Sequence, residues 1–139
     1  MTKRELSAIL AKASAEEVAV LAEPIKAKAQ IQVLKEPQKT LVMVKVRESI
    51  KNSLFYLGEV LATECMVTVN GVKGMSVIAG DQFDKAINIA VIDGYLNGNA
   101  SSADILEQIA ALGVSQQQAR QHMNRQIRKS KVNFNVMGE

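Results

Sequence analysis

The first thirty residues carry apolar positions at helical spacing in two runs. Leu6 and Leu10 share one helical face in the first run, and Val18 and Leu21 do so in the second. Each run follows a Thr or Ser with a Glu three residues later, which is the capping box that begins a helix. The pattern predicts an N-terminal helical hairpin. Pro24 is expected to end or kink the second helix, because proline lacks a backbone donor.

The apolar spacing changes to every second residue beyond residue 30. Val42, Val44 and Val46 alternate with more polar neighbours, which is typical of a strand. The shorter run Ile31–Leu34 precedes Glu36-Pro37-Gln38-Lys39, which has the composition of a turn. These segments together predict a β-hairpin, followed by a polar loop at residues 48–52.

A second hairpin is predicted in the middle of the chain. A long strand is expected from about Val60 to Val69, with Cys65 on its core-facing side. Asn70 and Gly71 then favour a tight turn, because both residues tolerate positive φ. The return strand is expected at residues 75–79. The middle of the chain is therefore predicted to be an antiparallel meander.

Three helical segments and a short strand are predicted in the remainder. Asp81 is expected to cap an apolar helix that has apolar residues on more than one side. Burial within this domain and cover by another chain are both compatible with that pattern. A helix from about Ser102 is expected to stop at Gly113.

The last helix is expected to begin at Ser115 and to turn Ala119, Met123 and Ile127 inward. The alternating segment at residues 132–136 predicts a final strand. The fold class predicted from all these patterns is α+β: an antiparallel β-meander sheet packed with helices, with an N-terminal helical hairpin and C-terminal helices. We expect residues 1–139 to form a single domain.

Composition narrows the class of protein. The chain has 139 residues, of which 47% are apolar and 22% charged, a balance typical of one globular domain. No apolar run approaches the roughly 20 residues that a membrane-spanning helix needs. The charged N-terminus does not read as a signal peptide, and a single cysteine suits a reducing compartment. A cytoplasmic location without membrane association is expected.

The residues that usually carry chemistry are sparse. With one histidine and one cysteine, a metal site is not expected, and His122 has no carboxylate at ligand spacing. Cys65 is predicted to be a buried, inert thiol, because no histidine base lies beside it. Glu59, Glu64, Asp81 and Asp93 form no evident acid–base pair. We therefore predict no catalytic, cofactor-binding or metal-binding residue.

One charge feature is clear. Arg120, Arg125, Arg128, Lys129 and Lys131 form a basic C-terminal helix. The cations could simply complement the helix dipole. Alternatively, Arg120, Arg125, Arg128 and Lys129 contact an anion or an acidic partner surface. Nucleic acid is not the expected ligand, because neither a helix-turn-helix core nor interleaved aromatic residues are present.

A set of segments in a fixed order lies between residues 54 and 94. Further segments upstream, Ser14-Ala15-Glu16-Glu17 and Thr40-Leu41-Val42-Met43-Val44, and downstream, Val132-Asn133-Phe134-Asn135 and Met137, extend the set over nearly the whole chain. The central segments are Leu54-Phe55-Tyr56-Leu57-Gly58-Glu59, Ala62-Thr63-Glu64-Cys65-Met66-Val67, Gly71, Gly74, Val77-Ile78-Ala79-Gly80-Asp81, Lys85-Ala86 and Ala90-Val91-Ile92-Asp93-Gly94. This order resembles that of the PhnG family, a subunit of the bacterial carbon–phosphorus lyase system. The family usually has arginines where this chain has Glu64 and Gly80.

The resemblance implies a non-catalytic accessory subunit in phosphonate catabolism. The expected partners are PhnH, PhnI and PhnJ subunits, in a core complex that forms a ribose 1-phosphonate 5-triphosphate from ATP. PhnI is expected to supply the nucleosidase chemistry. PhnJ is expected to carry the iron–sulfur cluster and S-adenosylmethionine, so that this chain needs no cofactor. Whether the isolated chain is a monomer or a homodimer is left open.

Overall fold

The computed structural model describes residues 2–98 and 102–137, with the backbone alone over residues 130–137. Its helices and strands form an α+β fold, and the predicted fold class is confirmed. In chain order the elements are α1 (Lys3–Lys12), α2 (Ala15–Lys28), β1 (Ile31–Arg47), β2 (Leu54–Val69), β3 (Val72–Ala79), α3 (Phe83–Gly98) and α4 (Ala103–Met137).

The N-terminal helices begin where the capping signals place them. The Thr2 hydroxyl accepts a hydrogen bond from the Glu5 N–H at 3.2 Å, and Ser14 does the same for Glu17 at 3.1 Å. Of the two effects expected of Pro24, it does not end α2, because the helix runs on to Lys28. The carbonyl that loses its donor belongs to the exposed residue four positions earlier, where water can replace the lost bond.

The sheet is antiparallel throughout, in the order β1-β2-β3. β1 pairs with β2 from Ile31↔Val69 to Arg47↔Leu54. β3 pairs only with the second half of β2, from Ala62↔Ala79 to Val69↔Val72. The predicted turn at Asn70 and Gly71 is confirmed, with φ values of 51° and 85°.

The hairpin predicted within residues 31–46 is wrong, because that segment is the single long strand β1. The turn-like residues lie where the β1–β2 register shifts twice, between Val33 and Lys35 and between Lys35 and Gln38. Pro37 cannot donate to a ladder, so it fits such an irregularity on an edge strand. Likewise, β2 begins at Leu54, so that the predicted strand is extended at its start.

Helix α3 packs across one face of the sheet and fixes the core. The core-facing residues of β2 are buried, as predicted: Thr63, Cys65, Val67 and Val69. A Cβ atom added to Gly74 of β3 would lie 2.1 Å from the Ala90 carbonyl oxygen of α3. The Ser76 hydroxyl donates to the Ala86 carbonyl at 2.6 Å. Backbone therefore lies almost against backbone where β3 and α3 meet.

The several apolar sides of α3 are buried within this chain. The sheet covers one side and α2 covers another, and Ala86, Ala90, Val91 and Ile92 are all fully buried. Of the two alternatives left open by the sequence, intrachain burial accounts for these residues. The buried Lys85 ammonium donates to the Ala11 carbonyl near the end of α1 at 2.7 Å.

Asp81 does not cap α3, contrary to prediction. The helix begins at Phe83, so Gln82 occupies the position before it, and Asp81 forms an ion pair with Lys39 at 3.2 Å. The connection into α3 is held by Thr63, whose hydroxyl donates to the Gly80 carbonyl at 2.6 Å and accepts from the Gln82 N–H at 3.1 Å. A buried hydroxyl on β2, and not Asp81, therefore fixes the backbone that leads into α3.

The C-terminal part is one helix, so the predicted break at Gly113 and the predicted strand at residues 132–136 are both wrong. Gly113 is a site of close approach, because an added Cβ would lie 2.8 Å from Ile9 Cδ1 of α1. The Gln116 side chain donates to the Ile9 carbonyl at 3.0 Å. Once a helix is established each further residue adds a hydrogen bond, and five alternating residues do not outweigh that gain.

Candidate subunit interface

The first half of β2 and the second half of β1 form a two-stranded ribbon that extends past β3. We call residues 41–61 the ribbon arm. It runs from the pair Leu41↔Leu61 to the pair Arg47↔Leu54 and closes through the turn at residues 48–53. The Arg47 guanidinium donates to the Asn52 carbonyl at 3.0 Å and so braces the tip. An isolated two-stranded ribbon is marginally stable in water, so this arm lacks the support that a third strand would give.

The ribbon arm has one wholly apolar face and one face that mixes apolar and charged residues. Residues opposite each other in the register point to the same side of a sheet. One face therefore carries Val42, Val44, Val46, Phe55 and Val60, with no charged residue. The other face carries Leu41, Met43, Leu54, Tyr56 and Leu61, together with Lys45, Arg47 and Glu59.

The apolar side chains of the arm are largely in contact with solvent. Leu41 and Leu57 are each 62% exposed and Tyr56 is 53% exposed, and eleven large apolar residues of the arm are exposed in all. A large side chain presents roughly 150–200 Å² when free, so the arm exposes on the order of 1,000 Å² of apolar surface. The largest apolar patch on a typical monomer is about 300–600 Å². Divided between the two faces, the exposed apolar surface is on the order of 500 Å² per face, towards the upper end of that range, which makes the arm a candidate interaction surface.

The four basic residues singled out in the sequence lie on the exposed second half of α4. Arg120, Arg125, Arg128 and Lys129 are all exposed, and none takes part in the salt bridges formed by the described side chains. Arg125 and Arg128 line a shallow depression of about 260 Å³ together with Gln121 and Asn124. The structure therefore brings two of the four cations together on one helical face.

The inward face predicted for this helix is wrong for the chain alone. Met123 is 61% exposed and Ile127 is 56% exposed, and Ala119 is exposed as well. The reason is that α4 continues beyond the region beside α1, where Gln116 donates to the Ile9 carbonyl and Arg120 lines a depression shared with Glu5 and Lys12. The apolar stripe is present, but no described part of the chain lies beside it.

Burial or a side-chain contact describes each of three side chains that were considered for chemistry: Cys65, Glu64 and His122. Cys65 is buried, as predicted, and burial raises the pKa of its thiol. Glu64 accepts hydrogen bonds from Lys35 and Gln38, and the Lys35 contact is the main cause of the lowered pKa of its carboxyl. The exposed His122 ring lies 3.2 Å from the Gln126 amide. Within residues 2–98 and 102–137, no three His, Cys, Asp or Glu side chains are grouped so that they could hold a metal ion.

A groove of about 290 Å³ lies beside the outer edge of β3, between that edge and helices α1, α3 and α4. The Asp93 carboxylate accepts from the Met75 N–H at 3.0 Å, and the Asn97 amide donates to the Lys73 carbonyl at 3.0 Å. These two side chains of α3 thus bond to backbone groups at the outer edge of β3, so that those groups are not free to pair with another strand. The sequence offered no signal for this arrangement, because it depends on the approach of α3 to β3.

Comparison with known proteins places the chain in a family. Among the described helices, none is long and apolar enough to cross a membrane. A search of curated proteins gave no match to this sequence. The family model described as phosphonate metabolism protein PhnG matches residues 1–138. The resemblance seen in the ordered segments is thereby confirmed, and the chain belongs to the PhnG family, with a role in phosphonate metabolism.

Proposed function

We propose that this chain is an accessory subunit of a carbon–phosphorus lyase core complex and has no active site of its own. Its partners are PhnH-, PhnI- and PhnJ-type subunits in the cytoplasm. The complex supports formation of α-D-ribose 1-methylphosphonate 5-triphosphate from ATP and methylphosphonate. Membership of the family supports the pathway, and the surface of the chain supports the role as a subunit.

The ribbon arm is the observation that carries this proposal. Its exposed apolar area, on the order of 1,000 Å², is comparable with the roughly 800 Å² that each partner contributes to a standard protein–protein interface. A monomeric protein gains nothing by keeping Leu41, Phe55 and Tyr56 in water, since each of these costs free energy of hydration. A subunit recovers that free energy when a partner covers the arm.

The reaction divides between the subunits according to their chemistry. In the first step the bond from C1′ of the ribose to adenine N9 breaks, and a phosphonate oxygen forms the new bond to C1′. We assign this step to the PhnI-type subunit, and the iron–sulfur cluster and S-adenosylmethionine of the later cleavage to the PhnJ-type subunit. The present chain contributes binding surface that holds those subunits in a productive arrangement.

Co-expression of the tagged chain with the three partner subunits of its own source tests the proposal. The variant Leu41→Asn/Phe55→Asn places one polar side chain on each face of the arm. We expect it to reduce both the recovered partners and the adenine released from ATP with methylphosphonate. The matched control is Val20→Asn, which changes a residue that is 69% exposed on α2 and lies outside the arm.

Two results would contradict the proposal. Partners that release adenine equally well without this chain would remove the accessory role. Adenine release by the purified chain alone would show that it has an active site. The isolated arm variant should unfold at the same urea concentration as the wild type, which separates lost assembly from lost folding.

A second function is favoured by the depression at Arg125 and Arg128. Two guanidinium groups beside the amides of Gln121 and Asn124 could bind a phosphorylated ligand or a nucleic acid. The affinity of such binding falls steeply as salt rises. Arg125→Glu/Arg128→Glu should then abolish binding, and unchanged binding would remove this alternative.

A further inference from the structure

The outer edge of β3 is closed at both ends by side chains of this chain. At one end Asp93 and Asn97 of α3 bond to backbone groups of the strand, as described above. At the other end the Gln82 side chain donates to the Ala79 carbonyl at 3.0 Å. Each of these bonds occupies a group that another strand could otherwise use.

The stretch between the two closed ends is open and centres on Val77. The Met75 N–H points away from β2, because it donates to Asp93. Groups two residues further along a strand point the same way, so the N–H and C=O of Val77 also face outward. β3 is an edge strand, and within the part of the chain that the structure describes no group bonds to these two. Together with the Met75 C=O and the Ala79 N–H, they form a row of four unpaired backbone groups.

An apolar hollow lies directly against this open stretch. We call the groove of about 290 Å³ between β3 and helices α1, α3 and α4 the β3 groove. Val77 lies in its wall, and the side chains of Ser76 and Ile78 point to the same side of the sheet as the groove. The rest of its lining is mainly aliphatic and comes from the three helices: Leu6, Leu10, Ile89, Ile92, Leu96 and Leu106.

We propose that the β3 groove takes an extended segment of a fellow subunit, which adds to β3 as a fourth strand. The backbone of that segment pairs with the open groups around Val77. Its residues opposite Ser76 and Ile78 point to the same side as these two, so their side chains enter the groove, and its lining suits aliphatic ones. The identity of the occupant as a fellow subunit rests on the proposed function.

The size and charge of the groove argue against a small ligand. Whole small-molecule ligands fill roughly 300–1,000 Å³, and the β3 groove is smaller than that range. Lys3 and Asp93 are the charged residues in its lining, and they form an ion pair with each other at 3.6 Å. A phosphorylated ligand would therefore meet no unpaired cation there.

A second copy of the chain fits the groove poorly. Pairing of two β3 edges would bring both α1 helices to the same place, because each edge has its own α1 beside it. Pairing through β1 would be a head-to-tail contact that continues from copy to copy. Lys35, Lys39 and Lys45 along β1 also hinder such edge pairing.

Hydrogen exchange of the wild-type chain, alone and in the co-purified complex, tests for the added strand. The Val77 and Ala79 amides have no acceptor in the isolated chain and should exchange fast. In the complex we expect their exchange to slow at least about tenfold. The Met75 amide already donates to Asp93, and the Ile78 amide faces β2, so these two should change little and serve as internal controls.

Paired variants of the full chain test the same contact by affinity. Val77→Pro removes the N–H that a fourth strand needs and leaves the ladder with β2 complete, because that N–H faces outward. Val77→Thr is the matched control, since it keeps the N–H and changes a side chain that is 50% exposed on the face opposite α3. In titrations of the co-purified partner subunits we expect the proline variant to bind at least about tenfold more weakly and the threonine variant to bind within about twofold. Urea unfolding of both variants separates lost binding from lost folding.

A photo-activated label identifies the occupant. Cys65 is 2% exposed, so an introduced surface cysteine can be labelled selectively in the folded chain. A label at Ser7→Cys, on the wall that α1 contributes, should cross-link to a partner segment with aliphatic side chains at alternate positions. The same label at Val20→Cys, on the exposed side of α2, should not react with that segment.

The outcomes separate this inference from the proposed function. If arm variants disrupt the complex while the Val77 amide exchanges equally fast in the free and assembled chain, strand addition is overturned and the accessory role stands. Equal binding by the proline and threonine variants, or cross-links from Ser7→Cys to a second copy of the chain, would also overturn strand addition. If the wild-type chain does not assemble with the partners, both are overturned.

Discussion

The contact between Gly74 of β3 and Gly94 of α3 provides the sharpest test of the fold. A Cβ added at Gly74 would lie 2.1 Å from the Ala90 carbonyl oxygen, 2.3 Å from the Gly94 nitrogen and 2.6 Å from the Gly94 Cα. All three are backbone atoms, so no side-chain rotation relieves the clash. Ordinary contacts between heavy atoms lie near 3.5 Å, so Gly74→Ala must push α3 about 1 Å away from the sheet.

That displacement opens the buried core that α3 forms with β2. Overpacked core variants usually lose about 1–3 kcal/mol, and a clash with backbone on both sides falls at or above the upper end. We therefore expect Gly74→Ala to lower the free energy of unfolding by about 3 kcal/mol or more. A single domain has about 5–15 kcal/mol in total. The corresponding fall in Tm is about 10 °C.

Urea unfolding of the isolated chain, followed by circular dichroism, measures this loss. Gly58→Ala is the matched control, because a Cβ at that glycine meets no atom within 4 Å. It should leave stability unchanged or raise it slightly, since glycine is unfavourable inside a strand. A Gly74→Ala chain that unfolds within about 0.5 kcal/mol of the wild type would show that the close approach of helix and sheet is wrong.

Three further predictions concern buried or paired polar groups. Thr63→Val should cost about 2–3 kcal/mol, because it leaves a carbonyl and an N–H unpaired at the start of α3, whereas Thr63→Ser should retain most of the stability. Because the folded chain holds the proton of Cys65 to higher pH than the unfolded chain does, stability should fall as pH rises through the ordinary thiol range, and Cys65→Ser should reduce that slope. Lys35→Gln should raise the pKa of Glu64 towards its ordinary value, as measured by NMR titration.

Each of these has an outcome that contradicts it. Equal stabilities for Thr63→Val and Thr63→Ser would mean that the hydroxyl bridge contributes nothing. A wild-type slope in alkaline solution that Cys65→Ser leaves unchanged would assign the pH dependence to other groups. The lowered pKa of Glu64 stabilises the folded chain above the ordinary carboxyl range and loses that effect as pH falls through the lowered value. A carboxyl that titrates identically with and without Lys35 would rule out that ion pair.

Local signals predicted the parts of the fold that local chemistry controls. The capping boxes and the turn at Asn70-Gly71 were predicted because each needs only residues a few positions apart. The roles of Pro37 and Gly113 were predicted wrongly, because each depends on residues that are distant in the sequence. Pro37 lies at an irregular register with β2, and Gly113 lies against Ile9 of a helix a hundred residues earlier. Sequence pattern alone does not identify such distant partners.

The candidate interface was predicted only in part. The basic residues Arg120, Arg125, Arg128 and Lys129 were apparent from charge, but the exposure of the stripe beside them was not, because apolar periodicity predicts burial without saying by which chain. The ribbon arm was missed in the same way. One of its faces is wholly apolar and the other carries several apolar residues, a pattern that predicts burial of the strands. In the structure the described part of the chain leaves these residues exposed.

The ribbon arm also ties the abundance of this protein to that of whatever covers it. A copy made in excess keeps an apolar ribbon with an open strand edge in water, and such surfaces associate with one another and recruit chaperones and proteases. Lys35, Lys39, Lys45 and Pro37 along the edge strand β1 hinder edge-to-edge pairing, but they leave the apolar faces uncovered. If a partner covers the arm as proposed, surplus chains are expected to aggregate or be degraded, so that balanced synthesis with that partner would follow from the fold.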